Sequence, residues 1–218
     1  MRKKILIVAP HPDDETLGCG GFIYKFRSKC DIFCLFVTNI NKDKFQKEFK
    51  LRQNEIEKVK KLYRFKKIFH FNYITSELDI YPKNKIIIDF STLFKEIKPD
   101  EVLIPSSIDV HSDHKIVNET VVSASKSFRN PYIKKIMEYE TLSETNFSMK
   151  EGFKPNLFID ISKFIKKKID TMKIYKSEIK KHPFPRSAKA IESLALMRGS
   201  QAGYTYAESF NIIFQKKN

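Results

Sequence analysis

The sequence has no tryptophan and little cysteine, with Cys19, Cys30 and Cys34 as its only three thiols among 218 residues. Three cysteines this close together cannot form a disulfide framework for a chain of this length, so we expect free thiols and a reducing compartment. No apolar run approaches the roughly 20 residues that cross a bilayer, and the apolar stretch 5–9 is shorter than a signal peptide requires. We therefore expect a cytoplasmic protein without an integral membrane segment.

Acidic residues are scarce relative to basic ones, since 41 Lys and Arg face 26 Asp and Glu and give a formal net charge of +15. Such a balance can attract nucleic acid, an anionic membrane face or phosphorylated substrates. The lysines are spread along helix-like segments such as 43–64 and do not gather beside aromatic residues. We therefore expect mainly solvated helix faces and no specific nucleic acid as partner. The oligomeric state is left open.

Apolar runs with the length and β-branched content of buried strands recur along the chain, at 5–9, 32–37, 67–71, 101–105, 136–140 and 157–161. Segments with helical spacing lie between and after them, at 15–28, 43–64, 84–98, 113–127, 163–181 and 187–198. Strands that alternate with helices predict a parallel sheet covered on both faces. We therefore predict an α/β fold, a single Rossmann-like domain over residues 1–218 with a mostly parallel sheet. Its closing segment, 181–218, should pack near the crevice at the sheet edge.

Two polar motifs come directly after predicted strands. His11-Pro-Asp-Asp-Glu follows the first strand, and His111-Ser-Asp-His follows the fourth, at the end of the loop 106–114. In open α/β sheets, ligand sites form outside the carboxyl ends of the strands, where the crossover direction changes. Both motifs are therefore expected to face one crevice. Taken singly, each has a plainer interpretation, as acids at a helix amino terminus or as a polar loop.

The residue types in these motifs suit a divalent metal ion. His11 and Asp14 could bind one ion, and His114 could complete a set of two imidazoles and one carboxylate that leaves a position for water. Hydrolytic zinc sites and non-haem iron oxygenases share this set. The ligands alone therefore do not choose between the two chemistries.

Three further side chains favour a hydrolase. Asp13, a second carboxylate beside such a water, would serve as the general base. His111 and Asp113 form another pair, because an imidazole kept cationic by a carboxylate can stabilise an oxyanion or donate a proton to the leaving group. An iron oxygenase has less need for these groups.

The motifs together resemble a known family. They are APHPDDE at 9–15, LRQNE at 51–55 with its Arg52 and Glu55, HSDH at 111–114, and HPFPRS, RGSQAG and AESF between 182 and 210. This combination resembles the PIG-L/LmbE-type de-N-acetylase family, zinc-dependent enzymes that remove an acetyl group from N-acetylglucosaminyl substrates. The resemblance covers most of the chain.

The resemblance implies an LmbE-like fold and one zinc ion per chain, with Fe²⁺ or another divalent ion still open. The positions that match the family's zinc ligands are His11, Asp14 and His114. The resemblance further implies that Asp13 is the general base and that His111 stabilises the oxyanion or donates a proton, oriented by Asp113. Arg52 matches an arginine that contacts substrate hydroxyls.

Two arginines of the closing segment are also candidates for substrate binding. The guanidinium groups of Arg186 and Arg198 could hold a phosphate or a sugar hydroxyl, although a surface salt bridge is an equal alternative. His182, in the same segment, has no assigned role. Because tryptophan is absent, any stacking on a sugar ring would use tyrosine or phenylalanine.

These observations lead to one main hypothesis, a zinc-dependent hydrolase that removes the N-acetyl group from an N-acetylated amino sugar or glycoconjugate, in surface glycan or glycoconjugate biosynthesis. The many lysines make a nucleotide-linked or phosphorylated sugar attractive. One alternative is an amidase that acts on another acylated amine or a thiol conjugate. A second is a non-catalytic, metal-containing binding module for an anionic partner.

Overall fold

One seven-stranded sheet runs through the structure, a computed structural model that describes residues 2–217. Residues 1 and 218, the ends of the predicted domain, lie outside this range. The strands are β1 (Lys4–Ala9), β2 (Asp31–Asn39), β3 (Lys67–Ile74), β4 (Glu101–Pro105), β5 (Lys135–Tyr139), β6 (Leu157–Asp160) and β7 (Ala207–Gln215). Their order is β3-β2-β1-β4-β5-β7-β6. The first five are parallel, and β7 is antiparallel to both β5 and β6.

Six α-helices cover the part of the sheet that residues 2–217 form: α1 (Asp14–Phe26), α2 (Gln46–Tyr63), α3 (Lys83–Ile97), α4 (Ser112–Ala124), α5 (Ile165–Met172) and α6 (Ala188–Ala202). Successive side chains of a strand point to opposite faces, so the buried run in β1 feeds two cores. Ile5 and Ile7 pack with residues of α1, α2, α5 and α6. Leu6 and Val8 pack with residues of α3 and α4. The predicted mostly parallel α/β fold with helices on both faces is therefore confirmed.

Two of the three glycines of α1 let the helix lie close to the sheet and the loop after it. A Cβ atom on Gly18 would come within 2.1 Å of the Tyr139 ring, and one on Gly21 would come within 2.5 Å of Ile161. This close approach fixes the amino end of α1, where the first polar motif lies, against the carboxyl ends of the strands.

Two elements differ from the sequence-based predictions. The predicted helix 163–181 ends at Met172, because Tyr175 is buried beneath Glu15 and the Lys176 amide bonds Glu55, and these tertiary contacts override helix propensity. Strand β7 was not predicted and inserts between β5 and β6.

The strand order reverses beside β1, which has β2 on one side and β4 on the other. The loops after β1 and β4 therefore open into the same crevice, the usual ligand position in this class of fold. None of the helices within residues 2–217 combines the length and the apolar character needed to cross a membrane.

Candidate active site

Three side chains from the segments that follow β1 and β4, namely the loops and the first turns of α1 and α4, bring potential metal-ligand atoms into a triangle. His11 Nδ1 lies 3.3 Å from Asp14 Oδ2, His114 Nε2 lies 3.2 Å from Asp14 Oδ2, and the two nitrogens are 3.3 Å apart. Ligands in a tetrahedral zinc site, at about 2.0–2.1 Å from the metal, are about 3.3–3.4 Å from one another. The triangle thus has the dimensions of one face of such a site, and the fourth position would face the cavity.

Each imidazole of the triangle has a carboxylate behind it. His11 Nε2 lies 2.9 Å from Asp113 Oδ2, and His114 Nδ1 lies 2.7 Å from Asp109 Oδ2. With a metal ion bound, these bonds would keep a proton on the rear nitrogen of each ring and leave the lone pair of the other nitrogen for the metal. A carboxylate that accepts from a metal-bound histidine is a common feature of metal sites, because it fixes the ring and raises its basicity.

Neighbouring groups hold both rear carboxylates in place. Asp113 accepts hydrogen bonds from the amides of Ser76, at 2.8 Å, and Leu78, at 3.2 Å. Asp109 accepts from the Thr145 hydroxyl at 2.5 Å. The loops after β3 and β5 therefore support the residues that come from the loops after β1 and β4.

The pKa values of the triangle show that its surroundings favour positive charge. Burial lowers the pKa of His11, but its bonds to Asp113 and Asp14 outweigh burial and raise that pKa to about 9. Burial also lowers the pKa of His114, but the charge of Asp14 and the hydrogen bond to Asp109 outweigh burial and raise that pKa to about 10. The pKa of Asp14 is lowered, because the two imidazoles outweigh its burial. A divalent cation would replace the protons that these groups otherwise hold.

Asp13 occupies a strained position at the start of α1. Its φ of 139° lies in a region that residues with a side chain rarely adopt, and its side chain makes no cap hydrogen bond. The backbone is held instead, since its amide donates to Glu15 Oε2 at 3.0 Å and its carbonyl accepts from the amides of Thr16 and Leu17, both at 2.9 Å. Burial, together with the Asp14 charge, raises the pKa of the Asp13 carboxyl. The carboxyl therefore lines the cavity with an increased affinity for protons.

His111 is placed differently from the sequence-based expectation. The Asp113 carboxylate bonds to His11 and not to His111, so it does not orient the His111 ring or keep it cationic. The Asp113 backbone amide instead donates to His111 Nδ1 at 3.1 Å, which puts the ring proton on Nε2. Burial and the two neighbouring imidazoles lower the pKa of His111 to about 4. His111 thus lines the cavity as a neutral donor.

The cavity beside the triangle has a volume of about 280 Å³ and is lined by both motifs and by Arg52 and Arg186. Arg52 is almost fully committed to protein groups. Its Nη1 donates to the Pro12 carbonyl at 2.6 Å, and its Nη2 donates to Ser177 Oγ at 2.9 Å and pairs with Glu178. Arg52 therefore connects the β1 loop to the segment after α5.

Arg186 reaches the cavity from the closing segment. Its Nη1 lies 3.5 Å from Asp13 Oδ2 and its Nη2 lies 3.2 Å from Glu178 Oε2. Within residues 2–217, its buried Nε has no hydrogen-bond partner. Arg186 thus has an unused donor near the candidate base.

Arg198, which the sequence suggested as a substrate-binding residue, does not line this cavity. It forms two bonds of 2.7 Å to Glu140 and one of 2.9 Å to Gln201. The ion-pair alternative therefore describes Arg198, since its guanidinium joins α6 to the end of β5. His182 is exposed and is likewise absent from the cavity lining.

Three carboxylates of the site were missed or left without a role in the sequence. Asp109 lies five residues before His114, so a carboxylate close to a ligand in sequence was the available signal. Glu144 and Glu178 line the cavity but come from irregular segments far along the chain. No local pattern marks them.

Comparisons with known proteins agree with this arrangement. A family model described as GlcNAc-PI de-N-acetylase, PIG-L, matches residues 6–125, more than half of the chain. The chain is 24% identical, over 226 aligned positions, to diacetylchitobiose deacetylase of Thermococcus kodakarensis. The alignment covers 97% of this chain and 83% of that protein.

Solved structures share the fold. N,N'-diacetylchitobiose deacetylase from Pyrococcus horikoshii superposes with a TM-score of 0.80 at 22% identity, covering 97% of this chain and 84% of that one. GalB, a 4-carboxy-2-hydroxymuconate hydratase from Pseudomonas putida KT2440, has a TM-score of 0.77 at 16% identity, covering 99% and 98% of the two chains. At such identities these likenesses show the fold alone, whereas the family model matches the segment that carries both polar motifs. The chain belongs to the PIG-L family of de-N-acetylases.

Proposed function

We propose that this protein is a zinc-dependent hydrolase that removes the N-acetyl group from an N-acetylated amino sugar or glycoconjugate. The observation that carries the proposal is the triangle of ligand atoms beside a cavity that Asp13 and His111 also line. The relatives named as diacetylchitobiose deacetylases support the amino-sugar part.

The metal would be held by His11 Nδ1, Asp14 Oδ2 and His114 Nε2. Bound there, zinc would polarise the acetamide carbonyl and increase the acidity of a water molecule. Zinc is the preferred candidate because three protein ligands of this type, with one open position, are typical of catalytic zinc sites. The carboxylates of Asp109 and Asp113 would keep both imidazoles oriented.

Two side chains would then move protons and stabilise charge. Asp13 would take the proton of the attacking water as the new carbon–oxygen bond forms, and it would give that proton to the nitrogen as the carbon–nitrogen bond breaks. The raised pKa of Asp13 suits both transfers, because the group must gain and release one proton. His111, with its proton on Nε2, would donate a hydrogen bond to the oxyanion of the tetrahedral intermediate.

Arg186 is the arginine that we propose at the substrate, because its Nε donor is unused and its guanidinium lies near Asp13. Arg52 would act by holding Pro12 and Glu178, with limited capacity left for a sugar hydroxyl. We propose no contact between Arg198 and the substrate.

The proposal is tested by incubating zinc-loaded protein with N-acetylglucosamine, N,N'-diacetylchitobiose and N-acetylcysteine, and by measuring released acetate and free amine. We expect acetate and amine in equal amounts from the sugars, and release slowed about 10²- to 10⁴-fold in Asp13→Asn. Release from N-acetylcysteine alone would favour the alternative amidase. Tight zinc binding with no release from any compound would favour a binding module and would contradict the proposal.

A further inference from the structure

The cavity holds few of the basic residues that give the protein its positive charge. Four carboxyl groups and two guanidinium groups line it, namely Asp13, Asp14, Glu144, Glu178, Arg52 and Arg186. Within residues 2–217, no lysine lines it. If a divalent cation holds both ligand imidazoles neutral and all four carboxyls are ionised, the four positive charges of the cation and the two arginines would balance the four negative charges. The surplus of basic residues that gives the chain its charge of +15 therefore lies elsewhere.

This balance bears on the kind of substrate that fits. A phosphate group inside the cavity would need positive charge beyond that of the metal, and the two arginines are already paired with Glu178. Hydroxyl groups need acceptors and donors but no net charge. The electrostatics of the lining thus favour an uncharged, hydroxyl-rich group and disfavour a phosphorylated one.

Glu144 differs from the other three carboxylates of the cavity because it lies outside the triangle and, within residues 2–217, forms no ion pair with an arginine or lysine. Asp14 belongs to the triangle, Asp13 lies near Arg186, and both oxygens of Glu178 accept from protein donors. Glu144 Oε1 accepts from Ser143 Oγ at 3.0 Å, whereas its Oε2 has no hydrogen-bond partner among residues 2–217. A half-buried carboxylate that lines a cavity and has an oxygen without a protein donor can accept from a bound molecule.

The chain around Glu144 holds it in a fixed relation to the triangle. Its amide donates to the Thr141 carbonyl at 3.1 Å, and the next residue, Thr145, donates its hydroxyl to Asp109 at 2.5 Å. Asp109 in turn bonds to His114. Glu144 is therefore the neighbour of a residue, Thr145, that is linked through Asp109 to the proposed metal ligand His114. This link restrains the position of Glu144.

We infer that Glu144 is a specificity-determining residue, which accepts a hydrogen bond from a ring hydroxyl of the substrate and excludes sugars that carry a phosphate at that position. The inference rests on the proposed function and deepens it, because it names the substrate group in the cavity as an amino sugar with unmodified hydroxyls. Any phosphate, nucleotide or lipid attached to the substrate would lie outside the cavity.

The test is a cycle of substitutions in both enzyme and substrate. Zinc-loaded parent, Glu144→Ala and Glu144→Gln are assayed with N-acetylglucosamine, its 3-deoxy, 4-deoxy and 6-deoxy analogues, and its 6-phosphate. Glu151→Gln, which removes an exposed charge from the same connection, is the matched control. Zinc content and thermal unfolding of each variant identify any that fail to fold. If Glu144→Ala fails to fold, Glu144→Gln is used as the conservative variant.

We expect Glu144→Ala to lower kcat/KM for N-acetylglucosamine by about 10- to 100-fold, the effect of losing a hydrogen bond to a charged group. One deoxy analogue should be a similarly poor substrate of the parent and should show little further loss with Glu144→Ala, since the two changes remove the same contact. If that analogue is the 6-deoxy sugar, the parent should also reject the 6-phosphate. An equal loss on all the sugars would show a merely structural role and overturn the inference while leaving the proposed function intact.

A binding measurement distinguishes failure of the inference about Glu144 from failure of the proposed function. Dissociation constants of glucosamine and its deoxy analogues are obtained by calorimetric titration of the same proteins. If no acetate is released but Glu144→Ala weakens binding only for sugars that carry one particular hydroxyl, the inference stands and the proposed function fails. If none of the sugars is hydrolysed or bound, both are overturned.

Discussion

Replacing the carboxylate of Asp109 should weaken metal binding without disturbing the fold. Asp109 is fully buried, and its two oxygens lie 2.7 Å from His114 Nδ1 and 2.5 Å from the Thr145 hydroxyl. In Asp109→Asn the amide occupies the same space and keeps an acceptor for His114, so the main change is the loss of one negative charge. Asp113→Asn is less informative, because two backbone amides depend on that carboxylate and folding would suffer as well.

The size of the effect follows from the geometry. Removing a carboxylate that accepts from a metal-bound histidine typically weakens metal binding about 10- to 100-fold. This corresponds to about 1.4–2.7 kcal/mol of binding free energy. We expect the upper half of that range for Asp109→Asn, because the bond is short and buried and the interaction of charges is strong away from water.

The measurement is a zinc titration in competition with a chromophoric chelator at one fixed pH. Asp170→Asn, which removes an exposed carboxylate paired with Lys173, is the matched control and should bind zinc like the parent. Parent-like affinity in Asp109→Asn, together with parent-like thermal unfolding, would refute the idea that this carboxylate supports a metal ligand.

Three further predictions concern the base, the metal and the packing of α1. Asp13→Asn should keep the zinc affinity of the parent and lower kcat about 10²- to 10⁴-fold, as measured by acetate release, and turnover near the parent rate would rule out its role as base. Zinc at 100 times its dissociation constant should stabilise the fold by about 2.7 kcal/mol, so a chelator should lower the melting temperature by about 5–10 °C in a calorimetric scan. An unchanged melting temperature would contradict a site formed by the native fold. Gly18→Ala should cost about 1–3 kcal/mol in urea unfolding, because the new Cβ meets the Tyr139 ring. Gly152→Ala, which has nothing within 4 Å, is its control and should change stability by less than about 0.5 kcal/mol, so equal losses in both variants would refute the packing argument.

The sequence predicts the front half of the sheet well because its signals there are local. The continuous apolar run of β1 and the helical spacing of the next segments are readable one element at a time. Strand β7 is different, since it comes from the closing segment and pairs with β5 and β6, which lie far away along the chain. Its antiparallel position depends on long-range contacts that no local pattern carries.

In the site, too, the sequence predicts the types of residue but not the contacts between them. The spacing of the two motifs suggests which side chains meet, but not which carboxylate bonds to which imidazole. Asp113 is next to His114 and two residues from His111, yet its carboxylate bonds to His11, which is 102 positions away. Only the packing of the β1 and β4 loops decides this pairing, and it changes the expected state of His111 from cationic to neutral.

The three consecutive acids of the first motif raise the question of how neighbouring carboxylates can coexist in a buried position. The three carboxylates point in different directions, and the backbone reaches this arrangement through the unusual φ of Asp13. Asp13 faces the cavity and Arg186, and Asp14 faces the two imidazoles. Glu15 points into the protein, where its oxygens accept from the Asp13 amide and from the hydroxyls of Thr16 and Tyr175, and where burial raises its pKa to about 7. Only Asp14 of the three is therefore placed among the metal-ligand atoms, while Glu15 supports the strained backbone that directs Asp13 into the cavity.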